Sequence, residues 1–169
     1  MSSALNVELG AVDVSIDGVD VGHCKGGAEV VYEPEFKESA VDAYGNTPIE
    51  ARLVGERWTA KVRLAEYEIA NLRKAMPQSQ FAGAGNARIT LGTKAGKKAS
   101  DDSVALVLHP SDKGTREHDV IFYKAVVISS VTLVHTNDDD KVIEVEFLAL
   151  IDESKSDGNY LGMIGDSTV

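Results

Sequence analysis

Apolar and polar residues alternate along most of this chain with a period of two, which is typical of half-buried β-strands. The clearest example is the run 28–64. Apolar and acidic side chains alternate in its first arm, whereas apolar and basic side chains alternate in its second arm, from Arg57 to Leu64. The turn signal Gly45-Asn46-Thr47-Pro48 separates the two arms. The pattern therefore predicts a long extended β-hairpin in which an acidic face lies beside a basic face.

Shorter runs predict the remaining strands. Asp17-Gly18 stands between apolar strand residues and predicts a small hairpin over 12–21, followed by a glycine-rich turn. The run 141–151 alternates cleanly, with Glu144 and Glu146 on the face opposite four apolar residues. Further strands are predicted at 88–91, 103–109 and 120–135.

One α-helix is predicted over 66–76. Ile69, Leu72 and Met76 have helical spacing and would pack on the sheet, and Pro77 would end the helix. With so many strands and one helix, the predicted fold class is mainly β, as a β-sandwich or half-barrel. A length of 169 residues is most simply a single domain.

The two terminal segments are interpreted as arms. Residues 1–11 precede the first hairpin, and residues 152–169 follow the last strand. The C-terminal arm is too apolar for a freely solvated end, so we expect it to dock, with a neighbouring subunit as one candidate surface. Its candidate docking residues are Tyr160, Leu161, Met163 and Ile164.

The charge of the chain limits the functions that it can serve. The formal net charge is −10 and the sequence pI is near 4.8, which disfavours tight binding of phosphates. The same charge suits a surface that DNA passes without sticking. A single cysteine, Cys24, agrees with a reducing compartment, and the first residues lack a secretory signal, so folding in a cytoplasm is expected. No apolar run is long enough to predict a membrane span.

No group of residues predicts catalysis, a cofactor or a metal site. The histidines are scattered, and Cys24 beside His23 is better interpreted as a packed structural cysteine than as a nucleophile. The run 92–98 departs from the phosphate-binding loop in spacing and in its last residue. The acidic run 137–140 lacks the spacing of a calcium loop and is better interpreted as a hairpin turn.

Several local motifs carry a resemblance to a known family. They are Gly18-Val19-Asp20-Val21-Gly22, Lys25-Gly26-Gly27, the turn Gly45-Asn46-Thr47-Pro48, Gly55-Glu56-Arg57 and Leu64-Ala65-Glu66 before the helix. Over residues 12–77 this pattern resembles the tail tube proteins, or major tail proteins, of tailed bacteriophages. The resemblance implies a structural virion protein, not an enzyme, that assembles in the host cytoplasm as hexameric rings stacked into the tail tube.

The resemblance also implies partners and sites. Sheets of neighbouring subunits would join into one β-barrel around a channel for DNA ejection, and the partners would be further copies of the chain, the tape measure protein, the tail terminator and the tail-tip or baseplate proteins. A long loop would reach an adjoining ring; the matching residues are Tyr44, Gly45, Asn46, Thr47, Pro48 and Ile49. The candidate residues that line an acidic lumen are Glu29, Glu33, Glu144 and Glu146.

Two alternatives remain open at this point. The inner tube of a contractile injection system or a type VI secretion system would share the fold but pass protein. A monomeric β-barrel that binds a small molecule belongs to another class, and gain of thermal stability on ligand addition would identify it.

Overall fold

The chain folds around an antiparallel β-sheet, which confirms the predicted mainly-β class. The computed structural model describes residues 11–65, 68–82, 88–92, 95–111, 114–132 and 142–167. One α-helix, α1, runs over Ile69–Ala75. The strands are β1 Val12–Ile16, β2 Val19–Ala40, β3 Pro48–Leu64, β4 Gln80–Ala82, β5 Arg88–Thr90, β6 Val104–Pro110, β7 Val120–Val127, β8 Ile143–Ala149 and β9 Gly162–Ile164.

The main sheet closes on itself. Its hydrogen-bonded order is β6-β1-β2-β3-β8-β7, and β7 also pairs with β6, so that six strands form a complete circuit. The strand β9 adds to β7, whereas β4 and β5 pair only with each other. The prediction of a sandwich or half-barrel did not include this closure, because it depends on pairing between strands that are distant in sequence.

The core fills the inside of this circuit with the apolar side chains of alternating residues. In β3 and β8 the buried faces are those that the sequence predicts, and the ring centroids of Trp58 and Phe122 lie 4.4 Å apart. The fully buried side chains include Val14, Ile16, Val62, Leu64, Leu106, Phe122, Ile143, Val145 and Phe147.

The helix is shorter than predicted, and its predicted apolar face reaches the core at Leu72 and Met76 but not at Ile69. It begins at Ile69 instead of residue 66, and Ile69 is exposed, whereas Asn71, Leu72 and Ala75 are buried. The amide Nδ2 of Asn71 donates a hydrogen bond to the carbonyl oxygen of Val21 at 3.0 Å. This polar contact with β2 fixes the orientation of the helix, and apolar spacing alone could not predict it.

Other boundaries also differ from the prediction. The glycine-rich segment around Gly22 and Gly26 is not a turn, because β2 continues through it with a shift of register between Cys24 and Ala28. The strand predicted at 120–135 ends at Val127. Residues 1–10, the start of the predicted helix at residue 66, positions 133–135 and the acidic run 137–140 lie outside the described residues.

Candidate assembly surface

The longest hairpin extends beyond the closed sheet as a two-stranded ribbon, which we define as residues 28–58. In β2 the pairing with β1 reaches only to His23, and in β3 the pairing with β8 begins only at Thr59. Between these points the two strands pair with each other alone. At about 3.3 Å per residue, each arm of the ribbon is about 40 Å long. Within the described part of the chain, both outer edges of the ribbon therefore lack a neighbouring strand.

The ribbon is exposed along almost its whole length. From residue 31 to residue 57 every residue is exposed except half-buried Gly55. An isolated two-stranded hairpin is only marginally stable in water. Single apolar residues scattered over a protein surface are normal, whereas a contiguous series of them marks an interaction surface. The exposed apolar residues of the ribbon are Val31, Tyr32, Phe36, Val41, Tyr44, Ile49, Leu53 and Val54. This arrangement is typical of a surface that another chain covers.

The end of the ribbon, which we call the tip, comprises residues 40–49. A 3-10 turn over Asp42–Tyr44 is followed by Gly45, whose φ of 64° lies in the left-handed region that favours glycine. The predicted loop is wrong at its C-terminal end, because Pro48 and Ile49 already belong to β3. The remaining loop residues, from Tyr44 to Thr47, lie together at the tip.

The candidate acidic residues share one face of the sheet. Glu29 and Glu146 lie directly opposite Lys61 on its two sides, and Glu144 lies opposite Arg63. On this face, which includes the outer face of the ribbon, six acidic side chains accompany five basic ones, an excess of one negative charge. These eleven residues are Glu29, Glu33, Glu35, Glu50, Glu144, Glu146, Lys37, Arg52, Arg57, Lys61 and Arg63.

Ion pairs reduce the negative potential of this face. The carboxylate of Glu144 lies 2.6 Å from Lys61 Nζ and 3.1 Å from Arg63 Nε, and these hydrogen bonds hold the pKa of Glu144 below its ordinary value. Glu33 lies 3.9 Å from Arg57. The sequence correctly predicts that the basic residues of β3 lie beside acidic residues. Lys61 and Arg63, however, contact Glu144 of β8 instead of the acidic residues of β2.

The C-terminal arm docks on its own chain over the described residues. Met163 lies opposite Ile121 in the pairing of β9 with β7, and Leu161 packs against the core. The N–H of Gly165 donates to the carbonyl oxygen of Asp119 at 2.9 Å. Ile164 stays exposed, and Tyr160 is half-buried with its hydroxyl bonded to Asp157.

A contact between His109 and the buried carboxylate of Asp119, beside this arm, was not predicted. The carboxylate of Asp119 is buried and lies 2.5 Å from His109 Nδ1. The same residue holds the arm through its main-chain carbonyl oxygen. The signal in the sequence is weak, because the two residues lie in separate segments and only the pairing of β6 with β7 brings them together.

The thiol of Cys24 is poorly suited to nucleophilic chemistry. Burial, together with the nearby carboxylates of Asp13 and Asp20, raises its pKa to about 11, so that the thiolate is scarce at neutral pH. Across the described segments no three His, Cys, Asp or Glu side chains are grouped as metal ligands. Within the same segments, none of the helical structure is long and apolar enough to span a membrane.

Comparison with protein-family models and with curated proteins gives no match for the chain. The inference of function therefore depends on the geometry of the ribbon and its faces.

Proposed function

We propose that this chain is a structural protein that polymerises with copies of itself, as hexameric rings stacked into the tail tube of a tailed bacteriophage. The observation that carries the proposal is the ribbon, whose two outer edges and exposed apolar residues have no partner strand among the described residues. Unpaired strand edges bind further strands through main-chain hydrogen bonds. A second copy of the chain is the simplest partner that would pair with these strand edges.

The direction of the strands suits a ring. Because β2 and β3 are antiparallel, the outer edge of β3 in one subunit would meet the outer edge of β2 in the next subunit in antiparallel orientation. The same junction would repeat around the ring until it closes, as heterologous contacts do. Each ribbon would then contribute two strands to one continuous barrel, and its marginal stability as an isolated hairpin would no longer matter.

The charge of the outer face supports a role as the wall of a channel. An excess of one negative charge per subunit would disfavour binding of the DNA backbone to this face. DNA would pass along such a wall without being held, as tail ejection requires. In the virion the further partners would be the tape measure protein, the tail terminator and the tail-tip or baseplate proteins.

Light scattering across a concentration series tests the proposal. We expect the mass to rise from that of one 18.1 kDa chain to multiples of six chains and then to long polymers. The half-point of assembly should move to higher concentration when Tyr32 and Phe36 on the ribbon are both replaced by serine. A mass that stays at one chain up to millimolar concentration, in both low and high salt, would contradict self-assembly.

A further inference from the structure

A groove lies at the end of the molecule opposite the tip, and we call it the end groove. It is formed by the β1–β2 turn, by α1 and by the segment that leads into β6. Its volume is about 610 Å³, within the range of about 300–1,000 Å³ typical of binding clefts. Its apolar wall includes Ile16, Val19, Ala70, Pro77 and Val104.

The end groove and the tip lie at the two ends of the same strand. Val19, the first residue of β2, lines the groove, and Ala40, its last residue, begins the tip. A strand of 22 residues spans at most about 70 Å, so one chain cannot place its own tip in its own groove. A second copy that is displaced along the strand direction can place its tip there.

The charged residues of the groove complement those of the tip. Arg73, Lys74 and Lys97 line the groove with Asp17 and Asp102, which leaves an excess of one positive charge. The only charged residue of the tip is Asp42. Contact between the two surfaces would therefore bring opposite net charges together.

The apolar residues of the tip match the apolar wall of the groove. Tyr44, Val41 and Ile49 are 68%, 41% and 56% exposed in the single chain. Burying such side chains is favourable because apolar surface leaves water. Exposed Val19 and Ala70 and half-buried Val104 offer a surface against which they can pack.

One buried side-chain oxygen of the groove residues lacks a hydrogen-bond donor among the described residues. Among the described residues, Oδ2 of Asp102 is the buried side-chain oxygen that lacks a hydrogen-bond partner, while its Oδ1 accepts from Lys97 Nζ at 2.6 Å. A buried acceptor without a partner is costly.

We propose that the end groove of one copy receives the tip of another copy in a head-to-tail contact. The proposal rests on the self-assembly proposed above and names the receptor for the tip. Because the tip and the groove are different surfaces at opposite ends, the contact is heterologous and repeats in one direction without closing. It would join successive rings, whereas the ribbon edges would join subunits within a ring.

Chemical crosslinking of assembled protein tests this contact. In a Cys24→Ala background, Ala43→Cys places a thiol on the tip and Ala70→Cys places one on the groove wall; both positions are exposed. A short flexible bis-maleimide added after assembly should give a ladder of covalent species that extends beyond the dimer. Each single-cysteine variant can give dimers at most.

The matched control combines Ala43→Cys with Ser154→Cys, an exposed position outside the groove. We expect several-fold more ladder from the groove pair than from the control pair, with circular dichroism showing that both variants fold. Equal yields in normal tubes would overturn the docking site and leave the proposed function standing. A wild-type chain that never assembles would overturn both proposals.

Discussion

The carboxylate of Glu144 lies between the ammonium of Lys61 and the guanidinium of Arg63 on the outer face of the sheet. The alternation of β8 correctly predicts that this side chain points away from the core. It does not reveal the two cations, because the register between β3 and β8 places them there. Glu144 therefore contributes less to the potential of a channel than an unpaired carboxylate would.

The ion pairs of Glu144 predict an acid-sensitive contribution to stability. Since the pKa of Glu144 in the folded chain is below its ordinary value of 4.5, its stabilising effect is present above pH 4.5 and is lost as pH falls through the lower folded value. The variant Glu144→Gln should lower the free energy of unfolding at pH 7 by less than about 1 kcal/mol, because the pair is exposed. In strong acid the two proteins should be equally stable.

Urea unfolding at a series of pH values measures this effect. Glu146→Gln is the matched control, because Glu146 lies on the same face but forms no ion pair with any described residue. A difference between wild type and Glu144→Gln that persists unchanged at pH 2 would contradict the ion-pair explanation.

Gly162 is the glycine at which the C-terminal arm approaches the sheet most closely. A Cβ atom there would overlap the carbonyl oxygen of Ile121 and come within 2.8 Å of Trp58 Cζ3. The apolar residues around Gly162 predicted that the arm docks, but the space available at this position depends on β7 and on Trp58 of β3. That information is absent from the local sequence.

Replacement of Gly162 by alanine should destabilise the chain by about 1–3 kcal/mol, which is the usual cost of overpacking. Fluorescence of Trp58, the single tryptophan, reports unfolding in urea at the site itself. Gly114→Ala is the matched control, since no atom lies within 4 Å of its added Cβ, and its effect should stay within about 0.5 kcal/mol. Equal stabilities of the two variants would show that β9 is not packed as described.

At the scale of elements, local patterns predict the hairpins well and the helix less well. The turn at Asp17 and Gly18 and the buried faces of β3 and β8 follow from short-range alternation. In the short helix, apolar spacing correctly identifies Leu72 and Met76 as core residues, but it misplaces Ile69 and does not reveal the contact of Asn71 with β2. The end groove combines segments that are far apart in sequence, and no local signal predicts it.

The tip of the ribbon should be needed for assembly but not for folding. Deletion of residues 46–49 removes part of the tip, which lies beyond the closed sheet and contributes nothing to the core. The variant should remain folded and soluble, with an unchanged near-ultraviolet circular dichroism spectrum, but should no longer form tubes. Tubes of normal length from this variant would contradict the role of the tip.

At the scale of the whole molecule, the chain combines a closed body with an open ribbon. The circuit of six strands leaves few edges in the body, so the capacity to bind further strands is concentrated in the ribbon. Composition and periodicity predict the mainly-β class, but the closure through β6 and β7 depends on long-range register. The tail tube function stays a proposal that the ribbon and the resemblance over residues 12–77 support.

Negative-stain electron microscopy of the purified chain across a concentration series would show directly whether it assembles into tubes. We expect hollow tubes built from stacked rings, with sixfold symmetry in end-on views and a stain-filled channel along the axis. Particles of single chains at every concentration, or solid aggregates without a channel, would contradict it.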